Sequence, residues 1–173
     1  MDTRQLKTLS KDNVAKLSKN LNRDEIRLLV EMLNEKDEAI RYHAFLLLQS
    51  NSRNFPFVCE YWNDLEEKLE NPNSYQRSAG VKLIAENVKW DKNNRFSKTI
   101  NKYLNCCNDE KFITARQTIQ ALETILKATD KFNSEIKEEM ISLQLQQYKK
   151  TQQKLLNKDR LRILQLIESN NQK

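Results

Sequence analysis

The chain has 173 residues, of which 38% are hydrophobic and 31% are charged, so it can bury a core beneath a heavily charged exterior. One Gly and two Pro are too few for the turns of a hairpin-rich sheet, which excludes a β-rich fold. The single Gly also excludes glycine-rich phosphate loops, and the single His excludes a zinc site with two imidazole ligands.

Stretches without charge, such as residues 44–52, are shorter than the roughly 18 residues that a membrane span needs. Residues 1–6 lack the apolar centre of a secretory signal. The three cysteines, Cys59, Cys106 and Cys107, are odd in number and have no C-x-x-C spacing, which predicts reduced, packed thiols. We therefore expect a cytoplasmic protein with no metal, no cofactor and no membrane contact.

The first predicted elements are an N-terminal cap and one helix pair. Val14 and Leu17 indicate a weak helix over residues 10–20, within a capping segment of residues 1–21. Asn22 and Glu25 form an Asn-x-x-Glu helix start. Asp37 is placed to cap the partner helix, so residues 22–52 are predicted to form the first antiparallel pair.

Three further pairs are predicted over residues 54–89, 94–128 and 134–170. Apolar residues at helical spacing mark each helix, and Trp62, Leu65 and Leu122 lie on these apolar faces. Asn and Asp clusters mark the turns inside the pairs, at residues 71–73, 108–109 and 157–159.

A repeated arginine accompanies the pairs. Arg41, Arg77, Arg116 and Arg162 each stand near the predicted start of a second helix, at separations of 36, 39 and 46 residues. The sequence Asp-Glu-Ala-Ile-Arg-Tyr-His-Ala at residues 37–44 resembles the Asp-Pro-x-Val-Arg-x-x-Ala motif of HEAT repeats, without the Pro. In the second repeat, Asn73 and Gly80 replace the motif's Asp and Ala.

The resemblance to HEAT repeats, and to short bacterial HEAT-like proteins, covers about residues 22–170. It implies a single all-α domain over residues 1–173, a right-handed α-α superhelix of about four helix pairs plus the cap. It also implies that Asp37 and the four arginines tie adjacent repeats together, with Asp37 and Arg41 as the best pair. The other interpretation of the arginines is a row that binds phosphates.

The charge distribution bears on the partner. The net charge is +6, but the excess of Lys and Arg lies in residues 1–23 and 146–173, which leaves the middle of the chain net acidic. A groove that grips phosphates along the array would concentrate positive charge in the middle instead. The basic ends keep a nucleic-acid partner as the rival hypothesis.

The residues one and four positions after the repeated arginines carry no charge. If they face one surface, that surface suits a protein segment; the alternative is that they are buried between repeats. Trp90, at a helix end, is a further candidate anchor for a partner. The candidate partner-binding residues are Tyr42, Phe45, Ser78, Gln117, Gln120 and Trp90.

No catalytic set is recognisable in the sequence. His43, the only histidine, lies in the repeat motif, where a packed or surface role is the ordinary interpretation. The sequence therefore predicts a non-catalytic protein-interaction scaffold. The alternatives are a nucleic-acid binder that uses its basic terminal helices and, more remotely, a DNA glycosylase, which the HEAT resemblance alone suggests.

Overall fold

The computed structural model describes residues 3–170, without the side chains of Thr3, Gln5 and Lys11. Within that range the chain is helical and contains no β-strand, which confirms the predicted all-α class. Residues 1–2 and 171–173 of the predicted domain lie outside the described residues.

Ten α-helices follow one another along the described chain. They are α1 (Thr3–Lys7), α2 (Lys11–Ser18), α3 (Arg23–Met32), α4 (Glu38–Ser52), α5 (Trp62–Glu67), α6 (Ser74–Asn87), α7 (Phe96–Asn105), α8 (Phe112–Ala128), α9 (Asn133–Ser142) and α10 (Lys150–Asn170). Short 3₁₀ helices at Phe57–Tyr61, Lys68–Glu70, Val88–Trp90 and Cys106–Asn108 extend or precede their neighbours.

The predicted helix starts are confirmed at three positions. Asn22 accepts from the N–H of Glu25 at 2.9 Å, and the Glu25 carboxylate accepts from the N–H of Asn22 at 3.0 Å, so a complete capping box begins α3. Asp37 and Asn73 cap α4 and α6 by accepting from backbone N–H groups in the first turn.

The helices pack in series. Helix α4 packs against α6, α6 against α8 and α8 against α10, so each second helix contacts the second helix of the next pair. The first helices join through a cluster of edge-to-face rings, in which Phe96 contacts Trp62, Tyr103 and Phe132 at centroid distances of 6.3, 5.5 and 5.0 Å. Burial of these rings fixes the third pair to the second and to the fourth.

The only glycine lies where two helices approach closely. A Cβ atom at Gly80 in α6 would lie 2.9 Å from the Cβ of Lys68 and 3.0 Å from the carbonyl oxygen of Leu65. Because Leu65 lies in α5 and Lys68 lies in the 3₁₀ helix that extends it, an Ala at this position would force α6 away from that segment. This contact explains the Gly in the second repeat.

The N-terminal cap contains one helix more than the sequence predicted. The predicted helix is α2, and the short α1 precedes it; both pack against α4. Leu6 of α1 is fully buried. One leucine in five residues is too short a pattern for periodicity to reveal.

The predicted turn at residues 157–159 is wrong, because α10 continues without interruption from Lys150 to Asn170. The break lies at residues 143–149, where the Tyr148 ring packs against Phe112 and its hydroxyl donates to the carbonyl of Asp109. Asp159 faces α8 and accepts from Arg116 instead of ending a helix. Good helix-forming Lys, Gln, Leu and Arg residues keep the polar stretch helical.

Candidate interaction groove

An open cleft of about 390 Å³ crosses three consecutive second helices. Helix α4 forms one side, α6 the floor and α8 the other side. The lining residues are Tyr42, Phe45, Ser74, Tyr75, Ser78, Ala79, Lys82, Ile113, Thr114 and Gln117. Four of the six candidate partner-binding residues, Tyr42, Phe45, Ser78 and Gln117, therefore lie in one cleft.

A second open cleft of about 290 Å³ continues the first toward the C-terminal ends of the same helices. The two clefts share Lys82 and Gln117, and we call them together the interaction groove. The remaining residues of the second cleft are Gln49, Arg53, Ala85, Glu86, Gln120, Ala121 and Thr124. Gln120, the fifth candidate residue, lies here, and its amide donates to Asp159 at 3.0 Å.

The first cleft exposes apolar side chains. Ile113 is 59% exposed and Tyr42 is 38% exposed, while Phe45 and Ala79 form a buried wall behind them. Large apolar side chains that share an open cleft are typical of a contact surface, because water around them is released when a partner covers them.

Hydroxyl groups fasten the floor of the cleft. The Ser78 hydroxyl donates to the Thr114 hydroxyl at 3.1 Å, and Thr114 donates to the carbonyl of Ser74 at 3.3 Å. These bonds join α6 to α8. They hold the floor in place. The Ser78 hydroxyl is bonded to Thr114 rather than to a base that would activate it as a nucleophile.

Several polar groups of the groove have no such partner within the described residues, among them Lys82, Gln117 and the buried hydroxyl of Tyr75. The side chains of Lys82 and Gln117 make no hydrogen bond or ion pair with another described residue. The Lys82 ammonium lies over the ring of Phe45, 5.5 Å from its centroid. Burial lowers the pKa of Lys82, because part of its hydration is lost.

The sixth candidate, Trp90, lies outside the groove. It is partly buried, and its indole N–H donates to the carbonyl of Ser52 at 2.7 Å. The Lys89 ammonium covers one face of the ring at 5.2 Å. Trp90 thus joins the second pair to the end of α4, and its expected exposure is only partial.

Arg41 and Arg77 hold the turns of their own pairs. Each donates through Nη1 to two consecutive carbonyl groups of the turn, at 3.0 Å for Arg41 and at 2.8 and 3.0 Å for Arg77. Asp37 does not pair with Arg41 as the resemblance implied. Its carboxylate caps α4 and contacts the Lys7 ammonium at 2.7 Å.

Arg77, Arg116 and Arg162 connect consecutive pairs. Arg77 donates to both carboxylate oxygens of Asp109 at 2.5 and 2.8 Å. Arg116 contacts Asp159 at 2.9 Å, and Arg162 contacts Glu123 at 2.9 Å. Guanidinium groups held by carboxylates in this way present little free charge to a phosphate backbone.

Two of the four repeated arginines, Arg116 and Arg162, do not occupy the position in their helix pair that Arg41 and Arg77 occupy. Asp37, Asn73 and Asp109 are 36 residues apart, and each accepts from the backbone N–H two residues later. Counted from Asp109, the residue equivalent to Arg41 and Arg77 is Ile113, so Arg116 lies three residues too late. Arg162 lies in the second half of α10, far from a helix start.

The wrong register of Arg116 explains why the sequence analysis missed Thr114 but still found Gln117. Counting from Asp109 gives Thr114 and Gln117 at the offsets of one and four residues, and both line the groove, whereas Ile113 and Lys82 stand at other offsets. Gln117 was nevertheless found, because a shift of three residues stays on the same helix face. The spacing of the turn residues was the signal that could have revealed Thr114.

The remaining reactive groups are packed away from the groove. His43 is partly buried beside the Tyr42 ring, with centroids 5.5 Å apart. Cys59, Cys106 and Cys107 are buried free thiols; burial raises the pKa of Cys106 to about 12 and that of Cys107 well above its ordinary range. Within residues 3–170, no group of three or more His, Cys, Asp or Glu side chains could hold a metal ion.

No helix of the described chain combines the length and the apolar character that crossing a bilayer requires. No model of a known protein family matches the chain, and a search of curated proteins finds no similar sequence.

Proposed function

We propose that the protein is a non-catalytic scaffold that binds a segment of a partner protein in the interaction groove. The observation that carries the proposal is the open cleft across α4, α6 and α8, which the exposed side chains of Ile113 and Tyr42 both line. A cleft of this volume with apolar walls and few polar groups is typical of a binding site.

The serial packing of α4, α6, α8 and α10 supports a HEAT-like α-solenoid as the architecture of this scaffold. In such an array each pair contacts only its neighbours, and one face of the second helices stays open. The proposed fold is a right-handed superhelix of four pairs behind an N-terminal cap. A cytoplasmic location accompanies this proposal.

The chemistry of the groove favours binding over catalysis. The Ser78 and Thr114 hydroxyl groups bond to each other, and His43 does not line either cleft. A nucleophile without a neighbouring base is weak, so the groove offers surface and charge rather than a reacting pair.

Two matched isoleucine variants test the proposal. Ile113 and Ile141 are 59% and 64% exposed, and only Ile113 lies in the groove. Affinity purification from a cell lysate should recover a protein whose yield falls about 10-fold with Ile113→Ser, because an apolar anchor is lost, and stays unchanged with Ile141→Ser. Equal capture by both variants would place the partner elsewhere and contradict the proposal.

The terminal helix gives the rival function its one specific support. Lys150, Lys154 and Lys158 are exposed at four-residue spacing along one face of α10, and none forms an ion pair with another described residue. Nucleic-acid binding through this face would fall steeply with salt and disappear when the three lysines are changed to Gln. That result, together with no loss for Ile113→Ser, would favour the rival.

A further inference from the structure

Lys82 occupies the centre of the interaction groove. It lies on α6, between the walls formed by α4 and α8, and it lines both clefts. Its ammonium sits over Phe45 at 5.5 Å, a contact that leaves its hydrogen-bond donors unused. The groove therefore presents a partly buried cation with donors available to a ligand.

No unpaired carboxylate in the groove balances the positive charge of Lys82. The other charged residues of the groove are Arg53 and Glu86, and these two pair with each other at 3.1 Å. Because Lys82 has no carboxylate partner and has lost part of its hydration, a carboxylate supplied by a ligand would gain more here than at an exposed lysine.

The dimensions of the groove suit a peptide. Neighbouring packed helices lie roughly 8–10 Å apart, so a ligand that crosses from α4 to α8 spans roughly 20 Å, about five or six residues of extended chain. The Gln117 amide, which has no hydrogen bond to a described residue, can both donate to and accept from a peptide backbone.

We propose that the groove binds a short linear segment of a partner protein in which an Asp or Glu lies close to a large apolar residue. The acidic side chain contacts the Lys82 ammonium, and the apolar side chain packs between Tyr42 and Ile113. The inference rests on the proposed scaffold function and adds the chemistry of the partner.

A library of random linear peptides displayed on phage tests the inference, with the 173-residue chain as the immobilised target. The selected peptides should share an acidic residue near an aromatic or branched aliphatic residue. In calorimetric titration of one selected synthetic peptide, Lys82→Gln should weaken binding about 10-fold or more. Replacing the peptide's acid by its amide should cause a similar loss, and the two losses together should not add.

Two control variants separate the proposed contact from other effects. Lys98→Gln on α7 removes the same charge from an exposed lysine outside the groove, and it should leave peptide affinity unchanged. Lys82→Arg keeps the charge and should retain most of the affinity. An equal loss for Lys98→Gln would show a dependence on net charge alone and overturn the inference.

The other outcomes distinguish this inference from the scaffold proposal. Peptides without an acidic residue that bind equally to the Lys82→Gln variant, and lose affinity with Ile113→Ser, would refute the acidic segment and leave the scaffold standing. If no peptide is selected while the protein still captures a partner through Ile113, the linear segment alone would be refuted. If capture of a partner does not depend on Ile113, both the acidic segment and the scaffold proposal are refuted.

Discussion

Arg41 and Arg77 occupy the same place in two consecutive helix pairs but have different partners. Each guanidinium binds two turn carbonyls through Nη1. The Nε and Nη2 of Arg77 also reach Asp109 in the next pair. The Arg41 Nε is buried and has no hydrogen-bond partner, and the guanidinium lies over the Tyr75 ring at 5.1 Å.

One residue accounts for the difference. The turn position that holds Asp109 in the third pair holds Asn73 in the second. The single side-chain oxygen of Asn73 accepts from the N–H of Tyr75, whereas Asp109 has a second oxygen and a negative charge for the arginine behind it. Two neighbouring junctions of the same fold thus differ in strength, because the equivalent turn position holds an Asp in one and an Asn in the other.

Asp109→Asn should weaken the strong junction most. The amide can keep the bond to the Lys111 N–H, but the Arg77 side chain, 12% exposed, would lose its carboxylate. We expect the free energy of unfolding in urea to fall by about 3 kcal/mol, the cost of leaving one half of a buried ion pair. Glu110→Gln, at an exposed residue 4.0 Å from the same arginine, is the control and should cost less than about 1 kcal/mol. A loss of that smaller size for Asp109→Asn would mean that Arg77 finds another partner.

Asn73→Asp should strengthen the weak junction. The new carboxylate could still cap α6, and by analogy with Asp109 and Arg77 we expect it to reach the Arg41 Nε, which now lacks a partner. A gain of about 1 kcal/mol in the free energy of unfolding is expected from one charged hydrogen bond to a partly buried arginine. The gain should disappear in the Arg41→Lys background, because lysine lacks the guanidinium fork. An equal gain in that background would assign the effect to helix capping.

Lys7→Gln should have the smallest effect on stability, because the Lys7 and Asp37 side chains are 52% and 35% exposed. The pKa of Asp37 is the sensitive measurement. The hydrogen bond from Lys7, followed by that from the Ile40 N–H, holds this pKa below its ordinary value. The stabilisation is present above the unfolded pKa and is lost as pH falls through the folded pKa.

An NMR titration of the Asp37 carboxyl should therefore show a higher pKa in the Lys7→Gln variant, and acid should destabilise this variant less than the wild type. An unchanged Asp37 pKa would mean that the backbone N–H groups alone set it.

Local signals predicted most of the fold. Capping residues and apolar spacing placed α3 to α8 because each helix start depends on residues a few positions apart, such as Asn22 and Glu25. The break before α10 could not be predicted in this way. It depends on Tyr148 meeting Phe112 and the Asp109 carbonyl about 36 to 39 residues away, contacts that exist only after the pairs have packed.

The groove was predicted in part for the same reason. Tyr42, Phe45 and Ser78 follow from a local offset to an arginine, and they line one cleft. Lys82 could not be distinguished from the many surface lysines by its spacing. Arg53 pairs with Glu86, so Lys82 is the charged residue of the groove that has no ionic partner in the described chain, and only the structure shows this pairing.

The buried thiols offer a way to follow the local unfolding of this chain. Cys59 lies in the second pair, and Cys106 and Cys107 lie in the third, all shielded from solvent with pKa values raised by burial. Alkylating reagents need an accessible thiolate, so each cysteine reacts only while its own surroundings are open. The order in which the three become alkylated therefore reports which pair separates first, without any introduced label.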